Sequence, residues 1–302
     1  MEMKGEVKLE NLFLVANPKS GLGKIKTELF KVCETLSKGG YRVTLHITTR
    51  RGDATETVKN LSNEYSTIVV CGGDGTLNEV LTGVMQNENT YRIGYIPSGT
   101  LNEWSQGLKI SRNIGKAAKD IVSGNVVKLD IGKFEESYFA YTASFGAFTA
   151  ASYSAPQNVK NVLGQLAYVL EGVKSLGTIK PIHLRLTTNE GVHEGDYLFG
   201  AVSNSMSVGG IIKLDNAGVA LNDGFFEVIL IENPDNIADL NEIIDAIVTR
   251  KFDRKCIKQF KTKSLVIESK GTLDWTLDGE HAVSDKRVQI DNLEKAINFI
   301  IP

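Results

Sequence analysis

The stretch Val70-Cys71-Gly72-Gly73-Asp74-Gly75-Thr76-Leu77-Asn78-Glu79-Val80 decides how the first part of this chain folds. It is entered from a buried strand, Ser66 to Val70. Three glycines bracketing one aspartate follow, and then an amphipathic helix. Glycines reach positive φ and let a backbone come close to a ligand. A helix N-terminus offers unpaired N–H groups and a positive dipole end, which suits phosphate. A carboxylate at Asp74, beside bound phosphate, is useful mainly through a Mg²⁺ ion. A plainer reading makes this a tight βα turn in which Asp74 caps a helix. Strand, loop, aspartate and helix agree with one another, which favours the nucleotide.

Working outward, the first third alternates strand and helix. Leu12 to Ala16 is a continuous apolar run, as expected of a strand buried on both faces. Ile25 to Leu36 has helical spacing, and Tyr41, Val43, Leu45 and Ile47 alternate as a strand does. Asp53 to Leu61 reads as helix, Ile68 to Cys71 as strand, Thr76 to Met85 as helix, Arg92 to Ile96 as strand and Asn113 to Val122 as helix. This βαβα order argues for a parallel sheet with helices on both faces.

After about Val127 the texture changes. Val126 to Lys133 and Tyr138 to Phe145 are strand-like, and Val159 to Leu176 is a helical stretch. Further strands are expected at Ile182 to Thr188, Asp196 to Ser203, Gly218 to Leu221, Phe225 to Ile231, Ser264 to Glu268 and Thr272 to Thr276. Many short strands with Gly, Asn and Asp turns suggest an antiparallel sandwich. Ile237 to Ile247 looks like a helix on an excursion from it. The expected fold is thus an N-terminal doubly wound α/β nucleotide-binding domain followed by a C-terminal antiparallel β-sandwich. The expected domains are 1–132 and 133–290, with 291–302 a C-terminal segment packing back on the first.

With 302 residues there is length for two cores, and 42% hydrophobic with 23% charged residues is ordinary for a soluble globular protein. A formal net charge of −2 gives no global pull toward nucleic acid or an anionic membrane. Cys33, Cys71 and Cys256 are isolated, so neither a disulfide framework nor a CxxC metal pair is expected, and a reducing cytoplasm fits. Met1 to Glu10 lacks the apolar core of a secretory signal. No stretch approaches the ~18–20 apolar residues of a membrane span. His46, His183, His193 and His281 show no metal-ligand spacing.

Three more loops follow strands of the first domain. They are Asn17-Pro18-Lys19-Ser20-Gly21-Leu22-Gly23-Lys24, Thr48-Thr49-Arg50-Arg51-Gly52-Asp53 and Pro97-Ser98-Gly99-Thr100-Leu101-Asn102. Ligands gather at the carboxyl ends of strands in open α/β sheets. Any one such loop is as readily an ordinary turn. Four together, all rich in Gly, Ser, Thr or Asn, point to a site. Asp278-Gly279-Glu280 reads, on its own, as a hairpin turn.

Taken in order, Asn17-Pro-Lys-Ser-Gly21, Gly72-Gly-Asp-Gly-Thr76 with Asn78-Glu79, and Pro97-Ser-Gly-Thr-Leu-Asn102 resemble the diacylglycerol kinase catalytic family. The likeness continues through Val127 to Gly132, Asn204 to Gly210, Leu221 to Val228 and Leu277 to Glu280, and spans nearly the whole chain. The length looks most like that of the bacterial members. The resemblance implies an ATP- and Mg²⁺-dependent lipid kinase with an α/β nucleotide domain, a β-sandwich and an active site between them. Diacylglycerol is the first-choice acceptor. The alternatives are another lipid (phosphatidylglycerol, a sphingoid base), a soluble NAD kinase-like phosphotransferase, and a non-catalytic nucleotide or lipid sensor.

Position by position, the resemblance implies that Gly72, Gly73, Asp74, Gly75, Thr76, Asn78 and Glu79 hold the ATP phosphates. Ser98, Gly99, Thr100 and Asn102 complete that site, with Thr48 and Thr100 flanking the nucleotide and Asn17, Ser20 and Gly21 lining it. Asp74 and Asp130 would organise the catalytic Mg²⁺. Glu280 would accept the proton of the lipid hydroxyl, with Asp278 close by and also needed. Asp223, with main-chain oxygens of Ala220 and Phe225, matches a structural metal position. Some members carry an acidic side chain where this chain has Ala220, which weakens that site.

One departure stands out. The family usually continues its Gly-Thr-x-Asn with Asp-Phe-Ala-Arg, and here the residues are Glu103-Trp104-Ser105-Gln106, so the arginine is lost. Arg250 to Lys263 is strongly basic and holds Phe252 and Phe260. It could meet anionic headgroups, placing the protein transiently at the inner membrane surface, or it could be a solvated basic face. No nucleic-acid partner is expected. The oligomeric state is not legible, and a homodimer is the default expectation.

Overall fold

The structure is a computed structural model that describes residues 9–100, 102–146, 180–204, 207–208, 212–213, 221–249 and 251–302. The chain divides into two compact units, Met1–Leu129 with Lys295–Pro302, and Asp130–Glu294. The expected helix at Val159 to Leu176 lies outside the described residues, as does the expected strand at Gly218 to Leu221 apart from Leu221, which sits in a turn.

The first unit is built on parallel strands β1 (Glu10–Ala16), β2 (Tyr41–Ile47), β3 (Thr67–Gly72) and β4 (Arg92–Pro97). Their order in the sheet is β2-β1-β3-β4. Register places Leu14 beside both Leu45 and Val69, and Val69 beside Gly94. Every residue of β3 is buried, which is why Ile68 to Cys71 is an unbroken apolar run rather than an alternation. The crossovers are α1 (Lys24–Lys38), preceded by a 3₁₀ turn at Ser20–Gly23, α2 (Asp53–Lys59) and α3 (Asp74–Met85). A short α4 (Glu103–Gly107) and α5 (Ile114–Ser123) follow β4. Helix α3 buries Leu77, Val80, Leu81 and Val84, one stripe at helical spacing. Its partner is α2, and α1 packs on α5. Strand β5 (Asn125–Phe134) then carries the chain into the second unit.

That unit continues with β6 (Ser137–Phe139), β7 (Thr142–Gly146), β8 (Ile182–Thr188), β9 (Gly191–Ser203), β10 (Ser207–Val208), β11 (Ile212–Lys213) and β12 (Phe226–Glu232). After helix α6 (Ile237–Thr249) come β13 (Ile257–Thr262), β14 (Ser264–Ser269), β15 (Leu273–Leu277), β16 (Glu280–Ser284) and β17 (Arg287–Ile301). Strand pairs within the unit are antiparallel, as in β8 with β9, β14 with β8, and β15 with β16. Long β9 pairs with β7, β8 and β12. The core gathers Phe139, Phe145, Tyr197, Phe226 and Trp275 among aliphatic neighbours. Phe134 and Phe145 each meet the Trp275 ring edge-on, at 5.0 and 4.9 Å. The β-sandwich-like layout agrees with the pattern of short strands.

Strand β13 was not legible as a strand, because its sequence reads as part of a charged run. Lysines on an edge strand are a common means of keeping it from pairing with other chains. From Lys295 onward β17 belongs to the first unit, where Asn298 pairs with Arg92 and Phe299 with Ile93, parallel to β4. Ile297, Phe299 and Ile300 are buried there. Among the described residues, no helix is long and apolar enough to cross a membrane.

Candidate functional site

In the first unit four strand ends lie side by side. Parallel pairing continues into the loops, where Asn17 N donates to Cys71 O, Ser98 N to Gly72 O and Thr48 N to Ala16 O. The loops after β1, β2, β3 and β4 are therefore aligned along one edge of the sheet. Their backbones are close enough that side chains do not fit. A Cβ on Gly99 would stand 2.6 Å from Gly73 Cα and 2.7 Å from Asn102 Oδ1. A Cβ on Gly21, whose φ is +54°, would run into the Ser98 carbonyl. Glycine is required at Gly21 on both counts.

Around this cradle several polar groups lack partners. Ser20 Oγ, Ser98 Oγ and Asp74 Oδ1 are buried, and among the described residues they make no hydrogen bond. Buried polar atoms are rarely left unpaired, so three in one loop cluster point to a polar ligand. Helix α3 begins at Asp74, and its N-cap Gly73 supplies no side chain to cap the first amides. Open helix amides beside two orphan hydroxyls suit the oxygens of a phosphate chain. Asn17 Nδ2 donates to Thr76 Oγ1 at 2.9 Å and fixes the first turn of α3 against the first loop.

Asp74 Oδ2 accepts from Glu103 N at 3.1 Å. Burial pushes the Asp74 carboxyl above the ordinary aspartate range, and nearby amides, that of Glu103 foremost, pull against the shift. Such a group favours a cation beside it, because a positive charge stabilises the ionised form. Asn102, itself at φ +49°, locks the fourth loop, with its Oδ1 accepting from Gly99 N at 2.9 Å and from Tyr95 Oη at 3.2 Å. Its Nδ2 donates to Gly99 O at 2.9 Å. Gly75 and Asn78 lie in the first turns of α3, and Thr100 is exposed. Trp104, in the altered Glu-Trp-Ser-Gln segment, is buried edge-on against Phe299 at 4.8 Å.

Glu79 is engaged elsewhere. Its Oε1 accepts from Gly52 N at 2.9 Å and its Oε2 from Ala54 N at 3.2 Å. These amides open α2, which has no side-chain cap of its own. Glu79 thus holds the loop carrying Thr48 from a distance of 27 residues in sequence.

In the second unit the acidic residues gather at two turns. Asp278 and Gly279 have φ of +49° and +88°, as a two-residue type I′ hairpin between β15 and β16 requires. The Asp278 carboxylate is buried and accepts from three successive amides. These are Ala140 N at 2.6 Å, Tyr141 N at 3.0 Å and Thr142 N at 3.0 Å. Glu280 is exposed at the start of β16. Asp278 is therefore an anchor for the hairpin, and Glu280 is its accessible carboxylate.

Asp130 is fully buried, and its Oδ2 accepts from Gly224 N at 2.8 Å while its N donates to Leu221 O at 2.9 Å. Asp223 Oδ1 accepts from Phe225 N at 3.1 Å. Asp130, Asp223 and Phe225 thus meet at one turn, and Ala220 lies outside the described residues. Asn204, which sequence reasoning left without a role, donates from Nδ2 to Asp130 O at 2.8 Å. Its own N donates to Tyr141 O at 2.9 Å, so it ties the Asp130 strand to the segment Asp278 holds. Only its position in the resembling stretch marked it.

The basic segment is largely neutralised. Arg254 pairs with Asp245 at 3.0 Å, Lys255 with Asp239 at 3.3 Å, Lys258 with Glu232 at 2.6 Å and Lys261 with Glu227 at 3.1 Å. These pairs favour the reading as a solvated face.

Residues 11–134 match the diacylglycerol kinase catalytic domain, and residues 142–296 match the YegS C-terminal NAD kinase beta sandwich-like domain. The chain is 33% identical over 292 residues to a diacylglycerol kinase of Staphylococcus aureus (strain bovine RF122 / ET3-1), covering 96% of this chain and 91% of that one. A diacylglycerol kinase of Staphylococcus epidermidis (strain ATCC 12228 / FDA PCI 1200) is 32% identical with the same coverage. A crystal structure from Bacillus anthracis str. Sterne, of a chain provisionally called a diacylglycerol kinase, superimposes with a TM-score of 0.82 at 26% identity, covering 98% of each chain. These matches define a lipid-hydroxyl phosphotransferase. The chain belongs to the diacylglycerol kinase catalytic family.

Proposed function

We propose that this protein transfers the γ-phosphoryl group of ATP to the free hydroxyl of diacylglycerol, giving phosphatidic acid. The observation that carries the nucleotide half is the cradle of Gly21, Gly73 and Gly99 lined by the orphan hydroxyls of Ser20 and Ser98. These hydroxyls and the first amides of α3 bind and orient the phosphate chain. Asn17 and Thr76 keep that helix end in place, and Thr48 and Thr100 flank the nucleotide. Asp74, with an unpartnered buried oxygen, fits a ligand of Mg²⁺, and Asp130 is the second carboxylate assigned to it. Bound Mg²⁺ would neutralise charge that develops on the transferring group. Glu280 takes the acceptor hydroxyl's proton as the new O–P bond forms and the bond to the ADP oxygen breaks. Asp278, committed to three amides, positions Glu280 rather than sharing the proton.

Gln106, where the family resemblance implies arginine, keeps phosphatidylglycerol and a sphingoid base in view as acceptors, and NAD is the soluble control. The test is transfer of labelled γ-phosphate to each in mixed micelles, with and without Mg²⁺. Label in phosphatidic acid, dependent on Mg²⁺, is the expected result. Label only in another lipid or in NADP would reassign the acceptor. No transfer despite ATP binding would make the protein a sensor.

A further inference from the structure

The turn entering β12 is where the family resemblance implies a structural metal ion on Asp223. The described residues of this turn do not fit one. Both Asp223 oxygens face nitrogen, Oδ1 taking the Phe225 amide at 3.1 Å and Oδ2 lying 3.5 Å from Lys261 Nζ. A hard divalent cation needs oxygen lone pairs turned toward it. The ammonium of Lys261 also lies 3.1 Å from Glu227 Oε1. Strand register explains this, because Glu227 of β12 stands directly opposite Lys261 of β13, which puts both side chains on one face.

We propose that Lys261 is the built-in cation of this turn and takes the place of a divalent ion. The Glu227 side chain is 7% exposed, and a carboxylate that buried needs a counter-charge. Lys261 stands at ion-pair distance from it and from Asp223 at once, although neither Glu227 oxygen makes a hydrogen bond among the described residues. The turn is closed from its other side without metal, since Asp130 Oδ2 accepts from the amide of Gly224. The Lys263 ammonium adds further positive charge, 5.0 Å from the Phe225 ring centre. Asp130 is shared with the reaction proposed above, whereas Asp223, Glu227 and Lys261 have no part in it.

The experiment is thermal unfolding of the nucleotide-free protein in EDTA and in millimolar Mg²⁺ or Ca²⁺. The wild type and Lys261→Met are compared, so that any cation effect from elsewhere is common to both. In EDTA the variant should melt at least about 2–4 °C lower, the shift expected for roughly 1 kcal/mol in a chain of this size. Divalent cations should restore it more than they raise the wild type, because the emptied position now accepts them. An equal or larger cation response in the wild type overturns the proposal, as does an unchanged midpoint for the variant in EDTA. Should Lys261→Met not fold, Asp223→Asn decides. Its midpoint should respond to divalent cations as the wild type does. A wild-type response that Asp223→Asn abolishes would place a metal on Asp223.

Discussion

The two carboxylates proposed to act in the reaction sit in opposite environments. Asp74 is mostly buried and its carboxyl is raised, first by desolvation. Ionising it in the folded state therefore costs stability. That cost is absent below the ordinary aspartate range near pH ~4 and grows as pH rises through the folded pKa. Asp74→Asn should melt higher than the wild type at pH 7 when no ligand is bound, lose that advantage near pH 4, and be inactive. A melting scan across pH checks this, and a variant no more stable at neutral pH would contradict it. Glu280 is exposed on its hairpin, which suits the proton-acceptor role proposed for it. Glu280→Gln should reduce turnover at least about 10²-fold, the range for losing a general base, with ATP affinity nearly unchanged. Single-turnover kinetics and a nucleotide titration separate the two quantities. Near-wild-type turnover would remove Glu280 from the proton-acceptor role.

At the scale of elements, side chains on one helix or strand hold the ends of another. Helix α2 starts without a cap from its own loop, and Glu79 of α3 supplies both acceptors. Glu79→Ala should cost about 1 kcal/mol, as loss of a helix cap does. The freed loop carries Thr48, so KM for ATP should rise with less change in kcat. Glu79→Gln keeps one acceptor and should recover part of both effects. Equal losses in Ala and Gln would show that charge, rather than geometry, is what the loop needs. Asp278 does for the 140–142 segment what Glu79 does for α2. This gives a residue of a two-residue turn a positioning role that involves no proton transfer. The neutralised β12–β13 ribbon follows the same logic, since lysines that looked like a basic patch lie opposite acids of the neighbouring strand and of α6.

At the scale of the whole molecule, the chain visits the first unit at both ends. The last strand lies beside β4, and Phe299 there is fully buried against Trp104. Phe299→Ala should destabilise the first unit by about 3–5 kcal/mol. Urea unfolding followed by tryptophan fluorescence would register this as a lower midpoint. An unchanged midpoint would mean that the C-terminal strand contributes nothing to that unit in solution. Because the two ends must meet to complete one sheet, truncation at residue 294 should be more damaging than its eight residues suggest.

The sequence by itself determined the alternation of strands and helices, the glycine loops at the strand ends and the turn at Asp278. Those features are local, since backbone conformation and side-chain periodicity act within a few residues. It also marked Asp74 and Glu280, because they sit in such local motifs. Tertiary structure alone decided what the other acids do. Glu79 finds its amides 25 and 27 residues away, Asp130 finds Gly224 at 94, and Asp278 finds the 140–142 amides at 136 to 138. Strand β13 was hidden for the same reason, since its lysines become intelligible only once register sets Lys261 opposite Glu227. A buried carboxylate must be matched by whatever donor the fold brings to it, and a spacing along the chain carries no record of that partner.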